Sequence, residues 1–434
     1  MKQIKYILFL SLVIAAGSCN IDDVSNPNGS SIQGFDTDAS KSALQTLVTG
    51  IEDLARQEIG FYYDVVSIVG REYYFFTGSD PRYTGEVLGK GASQLDNAGF
   101  YGTRPYLGRY RTVKTANVLI DGATNSSLIT TEELNGYLGF AKTFQAYELL
   151  IAATLQFENG IRIDVSDAEN LGPFVDYGNA LAAIQSLLSE AAGDLNSAGG
   201  SFPFSLSSAM AGFNTPDTFV TFNRALAARV SLYQGNSSEA LSNLTGSFMD
   251  LSGDLDVGPA RFYSTAGGDF ANNLFRVPDQ ADAIIAHPSF VADATDGDSR
   301  LGKVLERPSG TLTLDGLSGD FDVWVYQSLT DFVPFMRNEE LVLIYAEANV
   351  GSNNAEAVRA INVIRANAGI AAYTGAMDSN ALVNEILYQR RYSLFGEGHR
   401  WIDMRRLNRL NDLPLDRVDD DVWVQFPRPV SETE

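Results

Sequence analysis

The chain of 434 residues holds one cysteine, Cys19, and two histidines, His287 and His399. No disulfide can therefore close within it, and a metal site of the histidine or cysteine kind lacks ligands. Basic residues are also scarce, 31 Lys and Arg against 54 Asp and Glu, for a formal charge of −23. A surface of that sign repels phosphate backbones, which argues against nucleic acid as a partner. No Gly-x-Ser-x-Gly elbow, phosphate-cradling glycine loop or zinc-protease helix is present. No catalytic residue and no cofactor is therefore expected. One enzymatic alternative stays open, a carboxylate pair for glycoside hydrolysis, because sequence does not give the separations among so many acids. Beyond the N-terminus no apolar run reaches the length of a membrane-spanning helix.

What is present begins with a leader. Lys2 and Lys5 precede an apolar run from Ile7 to Ala16, and the small residues Ala16, Gly17 and Ser18 lead to Cys19. The run has signal-peptide length, and a lone cysteine directly after small residues reads as an acylation site. Residues 1–18 are thus expected to be a lipoprotein signal. Residues 19–36 form a polar tether containing Asp22 and Asp23, and residues 37–434 a single domain. With 45% apolar and 20% charged residues that domain is globular in composition, and it is large enough for a core without staples.

Helical spacing dominates the body. Leu44, Leu47, Val48, Ile51, Leu54 and Ala55 recur at three and four residues behind the capping candidates Asp38 and Ser40. The same period predicts helices over Arg104 to Asp121, Glu132 to Phe157, Asn179 to Leu195 and Phe219 to Tyr233. From Glu339 to Asn367, two apolar stripes are divided by Gly351 and Ser352, with Asn353 placed to cap. Small residues at crossing points and repeated helix-turn-helix units give a mainly α fold. It is expected to be a tetratricopeptide-like scaffold of helical pairs with long irregular loops and a few short strands. Irregular insertions are expected at about 60–103 and 245–335, the second marked by dense glycine, aspartate and proline and by alternating runs at Thr311 to Leu314 and Phe321 to Tyr326.

The densest stretch lies near the end. A helical stripe from Asn380 to Phe395 stops at Gly396 and Gly398, and a second apolar set opens at Trp401. Around this corner Arg390, Arg400 and Arg406 alternate with Glu397 and Asp403. Guanidiniums beside carboxylates form bidentate pairs, so the corner reads as a structural ion-pair network, with an anion or substrate site as the alternative. Arg337, Glu340, Ala346-Glu347-Ala348, Asn362, Arg365, Ala368-Gly369, Arg390, Glu397-Gly398, Arg400-Trp401, Asp403 and Arg406 together resemble the C-terminal signature of the SusD/RagB family of outer-membrane nutrient-binding lipoproteins. The Ala141-to-Tyr147 motif resembles that family's N-terminal half. Gln389 departs from the pattern, standing where the family usually has glutamate.

The resemblance implies a lipid-anchored protein on the outer face of the outer membrane. Such a protein captures an oligosaccharide, or another oligomeric nutrient such as a peptide, and hands it to a partner TonB-dependent transporter. Sugars present apolar faces edged by hydroxyls, so flat rings beside polar groups suit them. The candidates are Tyr73, Tyr74, Phe76, Arg82 and Tyr83 in the aromatic stretch, and Trp324 and Tyr326 in the second irregular region. The alternative for each ring is that it fills core. A surface glycoside hydrolase is the competing function.

Overall fold

The computed structural model describes residues 38–167 and 169–432. Cys19, the leader and the whole of the expected tether lie outside the described residues.

Helix α1 (Lys41–Arg56) begins where the Ser40 hydroxyl accepts the Ala43 amide at 3.2 Å, and it buries Leu44, Val48, Ile51 and Ala55. Helix α2 (Ile59–Val69) follows at once and is buried on nearly every side. Two long helices come next, α3 (Phe100–Thr124) and α4 (Thr131–Gln156). Thr130 and Glu133 form a reciprocal capping box at the start of α4, satisfying two otherwise orphaned amides. Side-chain caps from Asp176, Thr215 and Asn236 start α5 (Tyr177–Asn196), α6 (Pro216–Tyr233) and α7 (Ser237–Thr245). The short α8 (Pro288–Ala292) sits in the irregular region. The closing set is α9 (Asn338–Asn349), α10 (Asn354–Asn367), α11 (Ser379–Ser393) and α12 (Arg400–Arg406), with Asn353 and Asp378 capping α10 and α11.

These helices pack in sequence order. α1 lies on α3, α3 on α4, α4 on α5, α5 on α6, α6 on α7, α7 on α9, α9 on α10 and α10 on α11. That is the nearest-neighbour packing of a helical-repeat scaffold, as the sequence pattern predicts. Small residues set the spacing. A Cβ on Gly139 of α4 would stand 2.5 Å from Leu195 Cγ of α5, so only glycine lets these two helices approach as they do. The main core runs through α1 to α6. A second cluster, including Val342, Ala357, Ile361, Leu382 and Ile386, joins α9, α10 and α11.

The irregular stretches are less irregular than their composition suggests. Residues 60–103 contain most of α2 and the strand Tyr73–Phe76. Helix α2 carries apolar residues all round and therefore has no amphipathic stripe to reveal it. The strand Tyr73–Phe76 pairs antiparallel with Ala283–Ala286, Tyr73 opposite Ala286 and Phe76 opposite Ala283. Phe321–Val323 and then Val304–Glu306 complete a four-stranded sheet. Two segments some two hundred residues apart in sequence are thus joined by backbone hydrogen bonds.

Between α11 and α12 the chain turns through Gly396 and Gly398, at φ +75° and +78°, the left-handed region where a Cβ is costly. A Cβ on Gly398 would also press at 3.1 Å on Tyr63 Cδ1 and Val66 Cγ2 of α2. Gly398→Ala is therefore expected to cost about 2 kcal/mol of stability, read as a lower urea midpoint at unchanged slope. A midpoint equal to wild type would contradict this account of the corner.

Candidate functional site

The corner expected to hold an ion-pair network does so from buried groups. Arg390 Nε donates to Asp403 Oδ2 at 2.6 Å, both side chains 2% exposed, and Arg406 Nε donates to Asp403 Oδ1 at 3.0 Å. Arg406 continues to Glu347 of α9, with Nη2 to Oε2 at 2.7 Å. Glu340, also on α9, forms a bidentate pair with Arg229 of α6, with Nε to Oε1 at 2.6 Å. Arg337 donates to Glu339 at 2.6 Å, to Glu397 and to the Ser393 carbonyl at 2.9 Å. Burial alone would raise the Asp403 and Glu340 carboxyls, but the facing guanidiniums outweigh it and hold both below the ordinary range. Gln389, in place of a glutamate, donates to Glu385 at 2.7 Å and leaves Arg390 to Asp403. Among the described residues Arg400 makes no such pair, and Glu72 is the carboxylate that acts on it most strongly.

Most of the rings singled out in the sequence are enclosed. Tyr73, Tyr74 and Phe76 are each at most 2% exposed, Tyr83 is 5% exposed and Tyr326 9%. The strand Tyr73–Phe76 is covered on both faces, which alternating side chains alone do not reveal. Tyr73 meets Phe395 edge-on at 6.1 Å between centroids. On the other face Tyr74 stacks on Phe76 at 5.5 Å and lies 5.4 Å from His287, whose Nε2 bonds Asp416 of the C-terminal tail at 2.8 Å. Of the expected ligand residues Arg82 and Trp324 reach the surface, and Phe75 is the partly exposed member of its strand.

Around these lie the half-buried rings Phe61, Phe100 and Phe275, which sequence reasoning passed over, in contact with rings and arginines it had singled out. Phe61 meets Phe100 at 5.7 Å, Phe100 meets Tyr83 at 5.5 Å, and Tyr83 meets Phe75 at 4.6 Å. The Arg276 guanidinium lies 5.7 Å from the Phe75 ring, and the adjacent Phe275 is 6.1 Å from Trp324. Arg82 covers Phe100 at 4.5 Å and Arg104 covers Phe61 at 4.1 Å. No local signal marks these rings, because the arginines that cover them come from elsewhere in the chain, Arg82 on Phe100 and Arg104 on Phe61.

Two clefts adjoin these segments, one lined by Arg82, which covers Phe100, and one by Val325 and Tyr326, which follow Trp324 in the chain. One, of about 620 Å³, lies between the Thr77-to-Ser93 loop and the hairpin tip at Leu314 and Asp315, and Arg82, Glu86, Lys90 and Thr84 line it. The other, of about 680 Å³, is lined by Val325, Tyr326, Lys303, Asp331, Phe332 and Arg337. The first loop is strapped by the C-terminal tail. Gly91 donates to the Asp419 carbonyl at 2.7 Å, Asp421 to the Leu88 carbonyl at 3.1 Å, and Arg71 to the Asp421 carbonyl at 2.6 Å. Arg417 ties the tail to Asp315 at 2.8 Å.

The two histidines are structural in placement. His287 caps α8 and bonds Asp416. Burial depresses His399 to about 4, leaving it neutral with Glu340 3.8 Å away. Among the described residues no group of His, Cys, Asp and Glu is placed to hold a metal, and no helix is long and apolar enough to cross a membrane.

Residues 286–422 match the model of the SusD family. They include every residue from Arg337 to Arg406 that carries the resemblance. A SusD superfamily protein from Bacteroides vulgatus shares the fold at TM-score 0.68 and 14% identity, over 91% of this chain and 96% of that one. One from Parabacteroides distasonis does so at 0.68 and 16%, over 91% and 97%. Surface glycan-binding protein A from Bacteroides uniformis aligns at 0.62 and 14%, over 85% and 88%. No curated protein matches the sequence. The fold is SusD-like along the described chain, and its C-terminal third carries the SusD/RagB pattern.

Two stability measurements follow from the corner. Asp403→Ala strands Arg390 without a counter-charge in the interior and is expected to cost about 3–5 kcal/mol, whereas a loss under 1 kcal/mol would mark the network as peripheral. Beneath the corner, burial pushes the Glu72 carboxyl up to about 7 and that of Asp64 up to about 6. The folded state then holds protons that the unfolded chain has released, so stability falls as pH rises from about 4.5 to about 7. Glu72→Gln is expected to flatten that fall by an order of 2 kcal/mol in urea titrations across the range. An unchanged slope would contradict it.

Proposed function

With a SusD-like fold as the premise, we propose that the protein is a surface lipoprotein that captures an oligosaccharide and passes it to a partner TonB-dependent transporter. The observation that carries the reading is the convergence of the two irregular segments. The sheet and the tail bring the Phe61-to-Phe100 region and the Phe275-to-Tyr326 region together, with half-buried rings at Phe61, Phe75, Phe100, Phe275 and Trp324 and a cleft beside each region. Half-exposed rings offer apolar faces to sugar C–H groups, while hydroxyls, carboxylates and guanidiniums at their edges meet sugar hydroxyls. Several rings rather than a single pocket suit an extended chain, since successive units add contact area without one deep cavity. Residues 286–422 lie in the matched family segment, and the Bacteroides uniformis neighbour is described as a surface glycan-binding protein.

In this reading the domain is residues 37–434, and residues 19–36 form its leash. Cys19 carries the acyl chains, so the body is held at the outer membrane on the cell surface by lipid rather than by a spanning helix. Capture and handover need reversible contacts and no bond-making groups, so no enzymatic step is proposed. Arg82, Phe75 and Trp324 serve as ligand contacts in this reading, joined by Phe61, Phe100 and Phe275. Tyr73, Tyr74 and Phe76 support them from below.

Calorimetric titration of the purified protein against an oligosaccharide panel tests this. Binding is expected, and Phe100→Ala with Trp324→Ala is expected to weaken it at least about tenfold without shifting the melting transition by more than a few degrees. Undiminished affinity in the double variant would place the ligand elsewhere. Release of shorter sugars on incubation would replace capture with hydrolysis.

A further inference from the structure

The charges beside the half-buried rings narrow the ligand further, and this inference rests on the glycan-capture reading. We infer that the oligosaccharide is electrically neutral, not a uronate, sulfated or sialylated chain. Each cation on the ring surface already has a carboxylate. Arg82 forms a bidentate pair with Asp80 at 2.9 and 2.7 Å. Arg104 does the same with Glu58 at 2.8 and 3.0 Å. Arg276 stands 3.6 Å from Asp64, and Lys90 is paired with Asp315.

In the cleft at the other region the arginines follow the same rule. At the Tyr326 end, Arg337 is taken by Glu339 and Glu397, and Arg300 by Asp298. Lys303 is spent on the Tyr392 and Ser393 carbonyls at the C-terminus of α11. Asp256 and Asp331 line that cleft as further acids, and Glu86 adds another at the Arg82 end. The guanidiniums that bind an anionic sugar by charge-assisted forks are therefore committed, and an incoming carboxylate or sulfate must exchange one pair for another. Exchange of exposed pairs yields little, and the chain's charge of −23 works against approach. Neutral hydroxyls face no such barrier. They accept from the outer N–H groups of paired arginines and donate to carboxylate lone pairs left free by the pairs.

The test titrates the purified protein with maltohexaose, cellohexaose and xylohexaose and, in parallel, with hexagalacturonate. It is run at about pH 8, above the raised Asp64 value, so that the partner of Arg276 is ionised. The neutral panel is expected to contain a binder whose affinity changes less than about twofold between about 50 and about 500 mM NaCl, with hexagalacturonate at least about tenfold weaker. Asp80→Asn frees the Arg82 fork and is expected to raise hexagalacturonate affinity about fivefold or more. Tighter binding of hexagalacturonate to the wild type, fading with salt, would overturn the inference while leaving glycan capture intact. No gain in Asp80→Asn would overturn charge pairing as its cause. Binding of neither class would remove the capture reading itself.

Discussion

The pairing of buried arginines with buried carboxylates is the constraint on which the rest of the structure depends. An unpaired guanidinium or carboxylate in an interior costs several kcal/mol, so each such group fixes where its partner must stand. Arg229 to Glu340 fixes α6 against α9, Glu347 to Arg406 fixes α9 against α12, and Asp403 to Arg390 fixes α12 against α11. Apolar packing among these helices tolerates small slips. The ionic pairs do not, and they set one register for the C-terminal third of the chain.

From that register the recognition surface is assembled at one remove. Phe395, held at the end of α11, closes over Tyr73 and seats the first strand of the sheet. The tail that leaves α12 returns across the molecule. Trp401 Nε1 bonds the Trp423 carbonyl at 2.7 Å, and Trp423 Nε1 bonds the Glu86 carbonyl at 2.8 Å, so the corner and the first loop are two bonds apart. Arg71 gathers carbonyls from the end of α2, the loop and the tail, with no carboxylate paired to it among the described residues. Loops dense in glycine and aspartate are thereby given a defined surface without a core of their own, which places binding groups on a rigid support.

Much of this was legible in the residues. Caps at Ser40 and Asn353, the turn at Gly351, and the glycine-marked corner before Trp401 all stand where spacing and turn chemistry put them, because each is a local signal. What was not legible depends on covering from a distance. The aromatic strand offered ligand candidates, and it is buried because Phe395 from one side and His287 with Asp416 from the other enclose it, contacts separated by more than two hundred residues. Helix α2 carried no period since it is apolar all round. Phe61, Phe100 and Phe275 drew no notice as single rings and acquire meaning only when the fold sets each beside another ring. Gln389 stands where the family usually has glutamate, and among the described residues it is Asp403 that pairs with Arg390.

The account's central claim is that two irregular segments, locked together by the sheet, the tail and the salt-linked corner, form one ligand surface. Hydrogen–deuterium exchange of the protein with and without a bound oligosaccharide measures this most directly. Slower exchange on binding is predicted in both the Thr77-to-Tyr101 and the Phe275-to-Tyr326 segments together, with α9 to α12 unchanged. Protection confined to one segment, or appearing on the outer faces of the helical pairs instead, would contradict it.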